Sequence, residues 1–131
     1  MATGSSGRSS KGLTTRSVAD GPGRASAADL SVIATFVDAL WLEEGLSRNT
    51  LDAYRRDLTL LAAWLGQRGL SLASAGEGDL SAYFSARHAA TKATTANRRL
   101  TVFKRFFRWA LRERVLNRDP TLKLQAARQA L

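Results

Sequence analysis

Residues 92–114 read KATTANRRLTVFKRFFRWALRER, and this stretch decides the fold. At about 100° per residue, Leu100, Phe103, Phe107, Ala110 and Leu111 fall in one sector, and Arg98, Thr101, Arg105, Arg108 and Arg112 fall in the opposite one. A strand would alternate with a period of two, and this run does not. The segment reads as a helix from Thr94 or Thr95 to about Arg114, with one face for a core and one face of cations. Asn117, Asp119 and Pro120 break it, because the residue before a proline is pushed out of the helical region.

Three further segments upstream share the helical period, and none carries a sustained period of two. Over residues 28–44, Val32, Ile33, Phe36, Val37, Leu40 and Trp41 step along one face; Ser26 or Asp29 can cap the start, and Gly45 supplies a left-handed stop. Over residues 48–66, Leu51, Tyr54, Leu58, Leu61 and Leu65 form one apolar stripe, with Ser47 as a natural N-cap and Gly66 and Gly69 at the end. A shorter helix is expected over residues 79–89, capped by Asp79, with Leu80, Tyr83 and Phe84 facing inward. Short loops and four apolar stripes predict an all-α architecture, a small four-helix bundle. The tail, residues 121–131, has no obvious surface of its own to pack on.

Charge is distributed as unevenly as the apolar residues. From Lys92 to Leu131 there are eleven basic and two acidic residues, so this segment equals the whole chain's formal charge of +9. From Lys92 to Arg114 the ratio is eight to one, Glu113 being the single acid. A solvated helix face normally mixes signs to form i,i+4 pairs, whereas a one-signed stripe is the footprint of a surface that meets a polyanion. The bland reading, a solvated stripe, stands beside that one.

Length and composition bound the rest. The 131 residues suffice for one domain of ordinary size. Residues 1–27 are rich in Ser, Gly, Ala and Arg with only Met1, Leu13 and Val18 as larger apolar residues, and are expected to be a disordered extension, part native or part tag remnant. Their acid-poor composition shares features with an organellar transit peptide but lacks an apolar helical face. With no cysteine, disulfides and thiolate chemistry are excluded, in keeping with a reducing cytoplasm. One histidine, His88, leaves no zinc site, no cofactor motif is present, and no apolar run approaches a membrane span.

Two helix starts carry phosphate-type chemistry: Ser47, Arg48, Asn49 and Thr50 at one, and Lys92, Thr94, Thr95, Asn97 and Arg98 at the other. Free amide groups and the helix dipole favour an anion there, although hydroxyl and amide side chains are also ordinary caps. Together the two starts could address one groove, with phosphate contacts setting register and Asn or Arg reading base edges. Phe103, Phe106, Phe107, Trp109, Trp41 and Trp64 follow core spacing and are read as core, not as base-stacking platforms. Gly76-Glu77-Gly78 lacks a third glycine and a preceding strand, so it is a turn. Asp52 and Asp57, among Arg48, Arg55 and Arg56, are read as helix-surface pairs.

The run FVDALWLE at 36–43, then SRNTLDAYRRDL at 47–58, then KATTANRRL at 92–100, FFRW at 106–109 and NRDP at 117–120 resembles the N-terminal core-binding domain of bacterial tyrosine recombinases, the XerD branch more closely than the XerC branch. The resemblance covers about residues 30–124. It implies a SAM-like four-helix bundle forming half of a clamp on double-stranded DNA, with its second and fourth helices in the major groove. Carried over by residue, it implies DNA contacts by Arg48, Asn49, Thr50 and Arg55 on one helix, and by Lys92, Thr94, Thr95, Asn97, Arg98, Thr101 and Arg105 on the other. Similar proteins resolve chromosome dimers in the cytoplasm, at the nucleoid, with a paralogous XerC-like recombinase and under a septal DNA translocase. The family's catalytic residues lie in a C-terminal domain, and neither Tyr54 nor Tyr83 matches the nucleophile's context. Residues 28–124 are thus expected to be a DNA-binding domain, monomeric in isolation and not itself catalytic, with 125–131 opening a linker. The competing reading is a helical interaction module whose basic face meets an acidic protein.

Overall fold

Ser26 opens the first helix of the computed structural model, which describes residues 24–125. Its Oγ accepts the Asp29 N–H at 3.0 Å, and α1 (Ala27–Glu44) runs from there to Gly45, whose φ of 63° turns the chain left-handed while its N–H reaches the Trp41 carbonyl. Ser47 repeats the device for α2 (Arg48–Gln67), accepting the Thr50 N–H at 3.2 Å. After a turn come α3 (Glu77–Arg87), a 3-10 turn (His88–Ala90) and α4 (Ala93–Arg112). Among the described residues there is no strand, so the architecture is all-α with four helices.

Helix α4 is the axis of the bundle. Leu100, Val102, Phe103, Phe106, Phe107, Trp109 and Ala110 are all buried on it, over far more than one narrow stripe. Around it pack Ile33, Phe36, Val37 and Leu40 of α1, Leu58, Leu61 and Leu65 of α2, and Leu80 and Tyr83 of α3. Phe36 meets Phe106 edge-on at 5.4 Å, and Tyr83 and Phe84 both close on Phe103, at 5.8 and 5.6 Å.

Several local expectations are corrected. Asp79 does not cap α3 from outside; Gly76 is the N-cap, and the Asp79 carboxylate reaches back from the first turn to accept the Gly76 N–H at 2.8 Å, so the helix starts earlier. The same helix ends at Arg87 because the chain tightens into the 3-10 turn. Helix α4 begins at Ala93, before both threonines. Gly66 lies inside α2 and does not end it: a Cβ there would stand 2.6 Å from the Arg24 carbonyl oxygen, so this glycine admits the incoming chain. That close approach, the buried Ala25 and the Ser26 cap show the chain packing on the bundle before Ala28. The expectation of disorder for residues 1–23, and of a linker for 126–131, lies outside the described residues.

Trp41 and Leu111, expected in the core, are 54% and 43% exposed. Both sit at the edge of their helix's buried arc, roughly 100° from its centre, where a periodicity argument cannot separate core from rim. The tail, expected to find nothing to pack on, has Pro120 and Thr121 buried and Leu124 against the core. The Lys104 ammonium donates to the Thr121 carbonyl at 2.5 Å and ties the tail to α4.

Candidate nucleic-acid interface

Asp57, expected on the surface, is fully buried where α2 packs against α4. Arg98 forks onto it, with Nε 3.1 Å from Oδ2 and Nη2 2.9 Å from Oδ1, and Arg99 Nε lies 3.5 Å from Oδ1. Adjacent helix residues point about 100° apart, so Arg98 and Arg99 approach the carboxylate from different sides. Arg99 turns inward, its side chain 16% exposed, whereas that of Arg98 is 45% exposed. One carboxylate therefore serves two guanidinium groups, and the cluster remains cationic toward solvent.

The second arginine of the stripe takes a different partner. Arg105 Nη2 bonds both oxygens of Glu44 at the end of α1, and its guanidinium stands 5.9 Å from the Tyr54 ring. The Glu44 hydrogen bond pushes the Arg105 pKa further up from its ordinary value. Arg112 lies against Glu43 and Glu113. By contrast Arg48, Arg55, Arg108 and Lys92 are exposed and have no acidic partner among the described residues.

The expected site residues do not gather in one spot: Arg48 and Arg55 line a hollow with Val37, Asp38 and Trp41 of α1, whereas Arg98 and Arg105 reach Asp57 of α2 and Glu44 at the end of α1. Arg98 of α4 meets Asp57 of α2, and Arg105 further along α4 meets Tyr54 earlier on α2, so the two helices pass each other in opposite senses. At about 1.5 Å per residue, the start of α2, with Arg48, Asn49 and Thr50, lies roughly 20 Å from the start of α4, with Lys92, Thr94 and Thr95. Arg48 and Asn49 are exposed, while Thr50 is half-buried and accepts a hydrogen bond from the Ser47 hydroxyl at 3.0 Å. On α4, Thr94 and Thr101 flank Arg98 on the exposed side, and Thr95 and Asn97 are half-buried. Lys92 is the N-cap residue, and its side chain makes no capping bond. That leaves the first amides of α4 to other acceptors.

Sequence reading missed Asp57. No local pattern marked it, because its partner Arg98 lies 41 residues away on another helix. Tyr83 is fully buried, its hydroxyl without a hydrogen-bond partner, and burial raises its pKa against the opposing pull of Arg87 and Arg99. Tyr54 is only half-buried, less than its place on the apolar stripe implies. Among the described residues no group of acids and histidines could hold a metal ion, and no helix is long and apolar enough to cross a membrane.

The chain is similar to known proteins over the part that folds into this bundle. Residues 33–114 match the family model for the phage integrase N-terminal SAM-like domain. Tyrosine recombinase XerD of Ralstonia nicotianae is 63% identical over 97 residues, which is 74% of this chain and 32% of that protein. The XerD of Proteus mirabilis is 43% identical over 94 residues, 71% of this chain and 30% of its own length, and that of Yersinia pestis 38% over 99, 75% and 33%. The chain thus spans about a third of the length of the curated relatives it matches. The fold, the order of its helices and these matches agree, and the chain belongs to the phage integrase N-terminal SAM-like domain family.

Proposed function

We propose that this domain is the DNA-binding arm of a XerD-type site-specific tyrosine recombinase, and that the face shared by α2 and α4 lies on duplex DNA. The observation that carries this reading is the group of exposed cations, Arg48, Arg55, Lys92 and Arg108, that form no ion pair among the described residues. Such groups release counterions from DNA when they meet its phosphates, which supplies affinity without sequence preference. In this reading Lys92 and the uncapped amides of α4 hold one phosphate run, and Arg48 and Arg55 hold another about 20 Å away, a span that fits within one turn of the duplex. Bond cleavage belongs to a separate catalytic domain of the whole recombinase, whose partners are a paralogous XerC-like recombinase and a septal DNA translocase acting in chromosome dimer resolution.

Anisotropy of a labelled duplex, titrated with the chain at several salt concentrations, tests the reading. Four phosphate contacts give a slope of log K against log salt of about −3 to −4. An acidic protein partner seated on an apolar interface would instead bind with little salt dependence, and a duplex that does not bind at low salt would exclude the proposal.

A further inference from the structure

Arg98 differs from Arg48, Arg55, Lys92 and Arg108 because the fold has already engaged it with a buried carboxylate. Asp57 takes its Nε–H and one Nη2–H in a fork, and the carboxylate is itself inaccessible to water. A guanidinium has five N–H donors in one plane, so the opposite edge, formed by the remaining Nη hydrogens, is left available. Holding that plane fixed removes rotamer freedom before any ligand arrives. The same carboxylate offsets positive charge that a phosphate would otherwise feel, so pairing weakens Arg98 as a phosphate anchor while improving it as an oriented donor pair.

Resting on the DNA reading above, we infer that Arg98 reads a base: its free edge addresses the O6 and N7 acceptors of a guanine in the major groove, and Asp57 is the positioning residue that aims it. Parallel N–H groups on an arginine match those two acceptors, which no other base pair presents together at one base. Thr94 and Thr101, one turn to either side on the exposed face, are small enough to let α4 approach the base edges. Arg48, Arg55, Lys92 and Arg108, free of acidic partners, then serve as phosphate contacts that set position.

The test selects bound sequences from a randomised duplex pool with the 131-residue chain, and measures salt slopes on the selected and on a scrambled duplex. The parent should enrich a motif containing a guanine whose replacement lowers binding about tenfold. Arg98→Lys, which keeps the charge and can still pair with Asp57, should lose the preference at that one position and keep the parent's salt slope. Asp57→Asn should weaken the same preference while binding to the scrambled duplex persists, a pattern that general unfolding would not give. If Arg98→Lys leaves the enriched guanine unchanged, or if Arg98→Ala weakens all sequences equally and lowers the slope by about one, Arg98 is a phosphate anchor and the inference falls. A parent that binds with the expected salt slope but enriches no base overturns the inference and leaves the DNA reading standing; a parent that binds no duplex overturns both.

Discussion

Arg98 and Arg105 sit seven residues apart on the same helix, and each forms an ion pair with another helix, yet the two pairs are different devices. Arg98 reaches a carboxylate sealed beneath the surface of α2, while Arg105 reaches Glu44, 41% exposed at the end of α1. Desolvation is what separates them. A buried carboxylate cannot fall back on water if its partner leaves, so the Asp57 pair is a fixed joint between α2 and α4. Glu44 and Arg105 can each be rehydrated at small cost, so theirs is a contact that another anion can displace.

The sharpest way to break this comparison is Asp57→Ala. Removing the acid leaves the largely buried Arg99 without its counter-charge and Arg98 unpinned, and the domain should lose about 2–4 kcal/mol, toward the low end for a broken buried pair because Arg98 can turn to solvent. Urea denaturation followed by far-UV circular dichroism measures it. A loss below about 0.5 kcal/mol, the scale of an exposed pair, would mean that burial is not what distinguishes the two sites.

Asp29 sharpens the comparison, since it is a buried carboxylate with no ion pair among the described residues. Its Oδ2 accepts the Leu72 N–H at 3.1 Å, and burial raises its pKa above the ordinary 3.8, with that backbone hydrogen bond pulling the other way. An acid whose pKa is raised on folding binds its proton more tightly in the native state. Its contribution to stability is therefore full below 3.8 and is lost as pH rises through the native value. Asp29→Asn keeps an acceptor for Leu72 and does not titrate. The stability of this variant relative to the parent should rise between pH 3 and pH 7, measured as the difference in urea midpoints. A difference that stays flat with pH would show that Asp29 is solvated in a way its burial does not suggest.

What the sequence made legible follows the same division between local and distant chemistry. Ser26, Gly45 and Ser47 act within four residues of themselves, so helix starts and stops could be placed closely from the chain alone. The aromatic core of α4 was legible because Phe103 and Phe107 repeat at helical spacing. Asp57 and Arg98 are 41 residues apart, and Arg105 and Glu44 are 61 apart, and no local pattern announces either pair. The cationic stripe was therefore read as uniform, when the fold divides it into pinned, masked and free arginines. Trp41 failed for the converse reason: α1 is apolar on nearly every side, so its period does not choose a face.

Glu44→Gln is the smallest expected effect and the one that links the comparison to DNA. The pair it breaks is open to water on both sides, so stability should change by no more than about 0.5 kcal/mol. Its consequence for binding follows from the cation that it frees. Releasing Arg105 adds a cation to the face shared by α2 and α4, so duplex affinity should rise modestly and the salt slope should steepen by at most about one. Arg105→Ala should then cost more affinity in the Glu44→Gln background than in the parent, where Glu44 already occupies the guanidinium. A double-mutant cycle in the anisotropy assay reads this coupling directly. Equal losses in both backgrounds would mean that DNA does not compete with Glu44 for Arg105, and that Arg105 belongs with the structural arginines instead of the contact surface.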